Sequence, residues 1–549
     1  MAWLAWAFGL LFAALTLTPD YVLGAGPYWQ NLFGDVAKGE IGWFHYARDA
    51  WRFPLLAIGN MHQPEGSSIV LADALPLFAL PAKVFYGLAW PAGAMPPIYT
   101  GIWVALCLVL QAVAASRLLR ALGVVDLPAH LAGIVLFCYL PIVFLRFGQA
   151  ALMAQFLIVF ALEGYVRAKR ESGLSQRGWV ALCALPAFSL LVHPYLTAMC
   201  GALIAATIFD QWRQRCIGTR GVLLRFGSIA LSALLVMAVG GFFSAARSDF
   251  GDYGLYSLNL LSPWVPFPQT LAGSVLHTEM PVIPGSNQWE GGAYLGAGML
   301  LLCVAALPAL RNWRINLRRH AVLLATLIAL LLFAVSHRIG FGAHELVHVP
   351  IPEFLLHAFS QLRGSGRFVW VAQYALLAAL IVAVVTRYPR RCGLLLGIAA
   401  LLQVIDVRPM QIGVRHASAS MTPATIDQAT WTRLIASHGR IFQFPSFECG
   451  GLFGREIAGN KFRELEFDWI AAQLDRPTNS AYLARFTKDC VREREQAASD
   501  HGQPGVLYLY RSDDVTGSYL LESGIDASRC GLLDDVVACS ADQDLSILR

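Results

Sequence analysis

The sequence predicts a polytopic α-helical membrane protein with a soluble α+β domain at its C-terminal end, and three observations carry that expectation. Of the 549 residues, 56% are hydrophobic and only 14% charged, too apolar a balance for an ordinary soluble chain. Long apolar runs recur up to residue 410, separated by short clusters of Arg and Lys, as the positive-inside bias requires of inner loops. Beyond that point the apolar runs stop, charged residues become common, and Gly, Pro, Ser and Asp recur at turn spacing. The net charge of +5 thus belongs to loop arginines and indicates no nucleic-acid partner.

Residues 1–18 are apolar, with no basic n-region and no small-residue cleavage site, so they are expected to form a retained first span. In 34–54, GDVAKGEIGWFHYARDAWRFP, residues Trp43, Tyr46, Ala47, Ala50 and Trp51 fall on one helical face, while His45, Arg48, Asp49 and Arg52 point elsewhere. That predicts a helix lying in the membrane interface, with Asp35 just before it where lipid headgroups meet water. An amphipathic linker with solvated charges fits the stretch equally well. Residues 69–90 are apolar but contain Asp73, Pro76, Pro81 and Lys83, which predicts a re-entrant or juxtamembrane helix pair.

Five basic clusters are expected on the cytoplasmic side: Arg117 and Arg120; Arg167, Lys169, Arg170 and Arg177; Arg213, Arg215, Arg220 and Arg225; Arg311, Arg314, Arg318 and Arg319; Arg387, Arg390 and Arg391. Between successive clusters lie the paired runs 129–145 and 150–166, 178–192 and 194–210, 222–246 and 293–310, and 320–336 and 368–386. The count closes at about eleven crossings, with the N-terminus cytoplasmic and the C-terminus outside. The long polar connections 25–68, 247–292, 337–366 and everything after 409 then face outward. Two domains follow: a transmembrane domain 1–410, with a first outer loop 25–97, and an outer, periplasmic domain 411–549. Acids are scarce inside the spans, with Glu163, Asp210 and Asp406 near predicted ends, which weighs against an ion-coupled transporter.

In the C-terminal domain, strand-like runs at Arg440–Phe444 and 506–510 alternate with helix-like segments at 423–437 and 467–474. Cys449, Cys490, Cys530 and Cys539 are an even set on the outer side, where Cys530–Cys539 and Cys449–Cys490 disulfides are expected. Their spacing does not suit zinc. The seven other cysteines lie in or beside spans and read as packing residues.

A first span, an outer loop with an early acid, an interfacial helix ending in Trp51-Arg52-Phe53-Pro54 and a Pro-containing apolar segment, PEGSSIVLADALPLFALPAK, together resemble the GT-C superfamily of polyprenyl-phosphate-sugar-dependent glycosyltransferases. In the aminoarabinose and mannosyl transferases of that class, an acid precedes a Trp-x-x-Pro element by a similar distance. That loop combined with YGLYSLNLLSPW (253–264), QWEGGAYLGAGMLLL (288–302) and RGSGRFVWVAQY (363–374) resembles more closely the bacterial membrane family DUF6311, usually grouped with GT-C enzymes. The likeness runs to residue 410 and rests on the order of the motifs.

The resemblance implies a transferase of the bacterial inner membrane that moves a sugar from a polyprenyl-phosphate donor to an outer-face, periplasmic acceptor of the cell envelope. A lipid-linked-glycan flippase or exporter and a non-catalytic envelope scaffold remain as alternatives. Such transfer needs a carboxylate as general base or as metal ligand, and Asp35 is the expected residue. The leaving phosphate needs cations, and Arg146, Arg363, Arg367 and Lys83 are the candidates. Arg146 and Lys83 would otherwise snorkel. Glu40, Asp73, His193 and Glu290 are candidate supporting or acceptor-side residues, against readings of His193 as a hinge and Glu290 as part of a Gly-rich turn. Asp20, Glu40, Asp49 and Asp73 stay open as substitutes for Asp35. The first outer loop has no Asp-Asp or Asp-x-Asp pair, so dependence on a divalent cation is left open.

Overall fold

The computed structural model describes residues 1–91, 93–171, 173–243, 253–266, 280–312, 318–453, 463–485, 487–500, 502–512 and 519–548. Arg314 of the fourth basic cluster, the tail of the 222–246 run and parts of the connection 247–292 lie outside them. The chain divides into two compact units: Met1–Leu23, Thr100–Leu234 and Asp249–Ala419 form one, and Gly24–Tyr99, Leu235–Ser248 and Ser420–Arg549 the other.

The first unit is helical. Across the described chain, five helices are long and apolar enough to cross a membrane: Thr100–Leu122, Ala150–Arg170, Thr219–Gly240, Ser365–Arg387 and Cys392–Ala419. The chain is therefore a multi-pass membrane protein. Shorter apolar helices accompany the long ones, among them Ala2–Thr16, Leu127–Cys138 and Ala321–Val335. Inside this bundle polar side chains satisfy one another, since lipid offers no partners. Tyr374 donates to Gln155 Oε1 at 2.6 Å, and Gln111 donates to the Tyr374 hydroxyl at 3.0 Å. The run expected over 129–145 is broken. Its helix Leu127–Cys138, capped by Asp126, stops before Pro141, whose ring excludes helical backbone at the preceding residue. The break hands the chain to the turn that carries Arg146.

The second unit contains a four-stranded sheet in the spatial order Arg440–Phe444, Val506–Arg511, Val536–Ser540, Gly531–Leu533. The first pair is parallel, with Arg440 opposite Val506, and the others are antiparallel. Alternation along the strands feeds two cores: Ile441, Leu507, Leu509 and Ala538 pack with Trp431, Phe467 and Ile470, while Phe442, Phe444, Tyr508 and Tyr510 pack with Ala497. The domain is α+β, with helices at Gln428–Ala436 and Glu464–Gln473, shorter or shifted by a few residues from the expected segments. Cys449 is disulfide-bonded to Cys490, and Cys530 to Cys539.

Two expectations for the first outer loop are corrected. The helix Gly34–Arg48 ends before Trp51 and buries residues from its charged as well as its apolar positions: Trp43, Phe44, His45 and Tyr46 are all at most 1% exposed, and Lys38 and Glu40 are buried as well. Its cover comes from within the same unit. The Phe44 ring lies 5.0 Å from that of Trp469, Arg48 donates to the carbonyl of Ala472, and at Gly42 an added Cβ would meet the Ala72 Cβ at 2.3 Å. Burial drives the His45 imidazole down to about 3, so it is neutral. Over 69–90 there is one helix, Pro76–Ala89, not a pair; turns occupy the residues before it, with Asp73 and Leu75 at positive φ.

Two outcomes are expected. Non-reducing peptide mapping of protein isolated under alkylation should recover Cys449 with Cys490 and Cys530 with Cys539; four alkylated thiols at these positions would contradict the pairing. Asp468 is buried, and that burial pushes its carboxyl from 3.8 up to about 7, although Gln443 and Thr478 donate to it. Between those values the folded state keeps a proton that the unfolded state has released, so stability should fall as pH rises through this window and level off above it. Asp468→Asn should flatten that part of the Tm-against-pH curve; an unchanged slope would rule out Asp468 as its source.

Candidate functional site

In the second unit, Asp35 occupies the first turn of the helix Gly34–Arg48 and Lys38 the next turn, so both project from the same side. The Lys38 ammonium is 3.2 Å from Asp35 Oδ1 and 2.5 Å from Asp73 Oδ2. Asp73, one of the open substitutes for Asp35, turns its carboxylate to this lysine from a left-handed backbone position, φ 54°. A fourth member was not foreseen: Tyr482 donates its hydroxyl to Asp35 Oδ1 at 3.2 Å, and Lys38 stands 5.1 Å over its ring. Burial alone would push the Lys38 ammonium down, but Asp35 and then Asp73 more than reverse this and hold it well above the usual lysine range. Burial, then Asp35, pushes the Tyr482 phenol up, so it stays a donor. Lys38 is 5% exposed while the Asp35 and Asp73 carboxylates are 30% and 29% exposed. The cluster thus presents carboxylates outward over a cation it has enclosed.

The other loop candidates lie elsewhere. Glu40 is buried, and its charge, second to burial, pushes up the phenols of half-buried Tyr28 and buried Tyr99. Lys83 is enclosed by the rings of Tyr46, at 4.0 Å, and Trp51, at 4.7 Å, and burial lowers it to about 8. Asp49 accepts from Arg52 at 2.9 Å and from the Gly59 amide at 2.6 Å, closing a turn. Asp20 is exposed on the short helix Pro19–Val22 of the other unit.

In the first unit a second centre forms where three of the sequence motifs meet. The Gly366 amide donates to the Tyr256 carbonyl at 3.0 Å, Gln288 donates to Ser257 at 3.1 Å, and Asn259 donates to Gln288 at 2.8 Å. Gly366 makes the approach possible, since a Cβ there would lie 2.5 Å from the Gly291 Cα. The knot brings Glu290 to Arg146 and Arg367. Arg146 Nη1 donates to Glu290 Oε2 at 2.6 Å, Arg367 Nη2 to the same oxygen at 2.8 Å, and Gln149 Nε2 to Oε1 at 3.2 Å. Arg146 does not snorkel; it is 3% exposed and stands over the Trp370 ring at 5.4 Å. Arg367 also stands 5.0 Å over Tyr195, whereas Arg363 lies 5.7 Å over Tyr256. His193 is the N-cap of Pro194–Arg213, accepting from the Tyr195 amide at 3.2 Å.

Lys38 was legible as a neighbour of Asp35 at i+3. Tyr482 and Gln149 carried no sequence signal, because only the fold places them. Asp35 and Asp73 do not fit a divalent cation, since the Lys38 ammonium stands between them, and among the described residues no three His, Cys, Asp or Glu side chains are grouped to hold a metal. Dialysis against EDTA should therefore leave Tm unchanged, and added Mg²⁺ or Mn²⁺ should not raise it. A saturable rise would reveal a cation site that Lys38 does not fill.

Residues 6–408 match the family model described as domain of unknown function (DUF6311), and residues 430–541 match that of the DUF6311 C-terminal domain. No curated protein matches the chain. Solved structures similar at low identity include these two. One is the archaeal oligosaccharyltransferase AglB from Archaeoglobus fulgidus in complex with an inhibitory peptide and a dolichol-phosphate: 11% identity over 93% of this chain and 69% of that one, TM-score 0.44. The other is ArnT from Cupriavidus metallidurans bound to undecaprenyl phosphate: 14% identity over 97% of each chain, TM-score 0.45. Likenesses this remote assign no residue here.

Proposed function

We propose that this chain, which belongs to the DUF6311 family, is a membrane glycosyltransferase that moves a sugar from a polyprenyl-phosphate-linked donor to a cell-envelope acceptor on the outer face of the membrane. The observation that carries the reading is the Asp35 carboxylate. It is partly exposed, yet fixed by Lys38 and Tyr482, as a general base must be if it is to meet an acceptor hydroxyl in one geometry. In the step, the acceptor oxygen bonds to the anomeric carbon and gives its proton to Asp35. The bond from that carbon to the phosphate oxygen breaks, and the polyprenyl phosphate leaves with the electron pair.

A phosphate leaving group needs positive charge and no proton. Within the helical unit, Arg146 and Arg367, two guanidiniums on the single carboxylate of Glu290, are the cations we propose for binding a phosphate, with Arg363 beside the same knot. Lys83, Glu40 and His193 support their surroundings in this reading. An ion-coupled exporter is less well supported, because the acids near the spans are engaged in fixed pairs: Glu163 with Arg117, Asp210 with Lys169, and Asp406 with Tyr294. The orientation follows from the inner basic clusters: N-terminus cytoplasmic and 411–549 periplasmic in a bacterial inner membrane.

The test is reconstitution in detergent, where no transport is possible. Purified protein with a synthetic polyprenyl-phosphate sugar and envelope acceptor should release polyprenyl phosphate, and Asp35→Asn should lower turnover about 10²–10⁴-fold while leaving donor binding intact. Redistribution of donor in sealed vesicles with no cleavage in detergent would replace the transferase with a flippase. Equal cleavage by Asp35→Asn and the parent would remove Asp35 as the base.

A further inference from the structure

Besides the contacts of Trp469 and Ala472, the C-terminal segment reaches the first outer loop through a strap of chain. In this strap, residues 478–485 and 487–488, the Thr478 amide donates to the Asn60 carbonyl at 3.1 Å and its carbonyl accepts from Gln63 at 3.0 Å. The Ala484 amide donates to Leu71 at 2.8 Å, and the Lys488 ammonium donates to the Gln63 carbonyl at 2.8 Å. A buried pair of His62 with Glu448 at 3.4 Å, and the Glu448 carboxylate accepting from the Thr487 and Lys488 amides at 2.8 and 2.7 Å, hold the end of the strap. The Cys449–Cys490 disulfide ties its exit to the body of the domain. Tyr482 sits between these anchors, its ring 4.9 Å from that of Phe447. Registration of the strap therefore sets where the phenol hydroxyl stands.

We propose that Tyr482 is a positioning residue of the transfer site: the C-terminal domain completes that site by holding the Asp35 carboxylate in place through this hydroxyl. The proposal rests on the reading of Asp35 as general base. Two contacts converge on one side chain, the hydroxyl on Asp35 and the ring face on Lys38, so the phenol fixes both the base and its counter-ion. A domain that served only to bind envelope components would have no need to place a donor on that carboxylate. The domain's role is thus inside the reaction centre of its own unit, not appended to it.

Tyr482→Phe in the full chain keeps the ring for Lys38 and Phe447 and removes only the hydroxyl. Turnover is expected to fall about tenfold, the worth of a hydrogen bond to a charged group, with KM for the donor unchanged. The acidic limb of the pH–rate profile should move to higher pH, because a carboxylate that has lost a donor is harder to ionise. In an Asp35→Asn background the same change should cost nothing further, since there the hydroxyl no longer serves a base. Retention of the Cys449–Cys490 disulfide and of Tm checks the fold of each variant. Parent-like turnover and pH profile in Tyr482→Phe, or losses that multiply with those of Asp35→Asn, would overturn the proposal. A second arm needs no turnover: carbodiimide labelling of Asp35 against pH, read by mass spectrometry, should shift to higher pH in Tyr482→Phe. If the parent chain cleaves no donor, the transferase reading fails, while the labelling still decides the contact; coincident labelling curves would overturn it.

Discussion

A buried ammonium is tolerable only where its charge is matched, and Lys38 sets that demand at the centre of the second unit. Asp35 answers from the same helix, Asp73 from a left-handed turn and Tyr482 from the C-terminal domain. Removing Lys38 would leave two carboxylates close together with no cation, and removing either acid would leave the lysine under-compensated. The cluster is consequently coupled: the helix, the turn and the strap hold their positions jointly. The same coupling gives Asp35 a defined place in the first turn of its helix.

The helical unit meets a similar constraint with different residues. Glu290 is buried in a Gly-rich turn, and the two guanidiniums that meet it come from the turn after the short helix Pro141–Phe144 and from the 3-10 turn Ser365–Phe368. Small residues are as necessary as charged ones here, because Gly366 and Gly291 let two backbones approach to a distance that a Cβ would forbid. The motifs 253–264, 288–302 and 363–374 are thus parts of one packed object.

The helix Gly34–Arg48 shows where sequence pattern misleads. Its aromatic residues fall on one face, and its charges suggested a solvated opposite face. In the fold Lys38, Glu40 and His45 are buried too, each for a different reason: Lys38 by pairing, Glu40 among phenols and His45 by giving up its charge. Periodicity assumes one wet side. A helix covered by Trp469 and Ala472 on one flank and by Ala72 on another keeps only a narrow exposed edge at Asp35, and the covering residues of the C-terminal domain lie hundreds of positions away.

By itself the sequence determined that the chain is a multi-pass membrane protein ending in an α+β domain, because hydropathy, charge clustering and strand alternation are local properties of contiguous residues. It also brought Asp35 forward, through its place in the loop, and set Arg146, Glu290 and Arg367 among the candidates. Only the tertiary structure decided which of these residues meet. The Tyr482 hydroxyl and Asp35 are 447 positions apart, and Glu290 lies 144 from Arg146 and 77 from Arg367. A pairing at such distance depends on strand register, the path of the strap and the close packing of glycines, none of which is encoded in the spacing of the residues that pair.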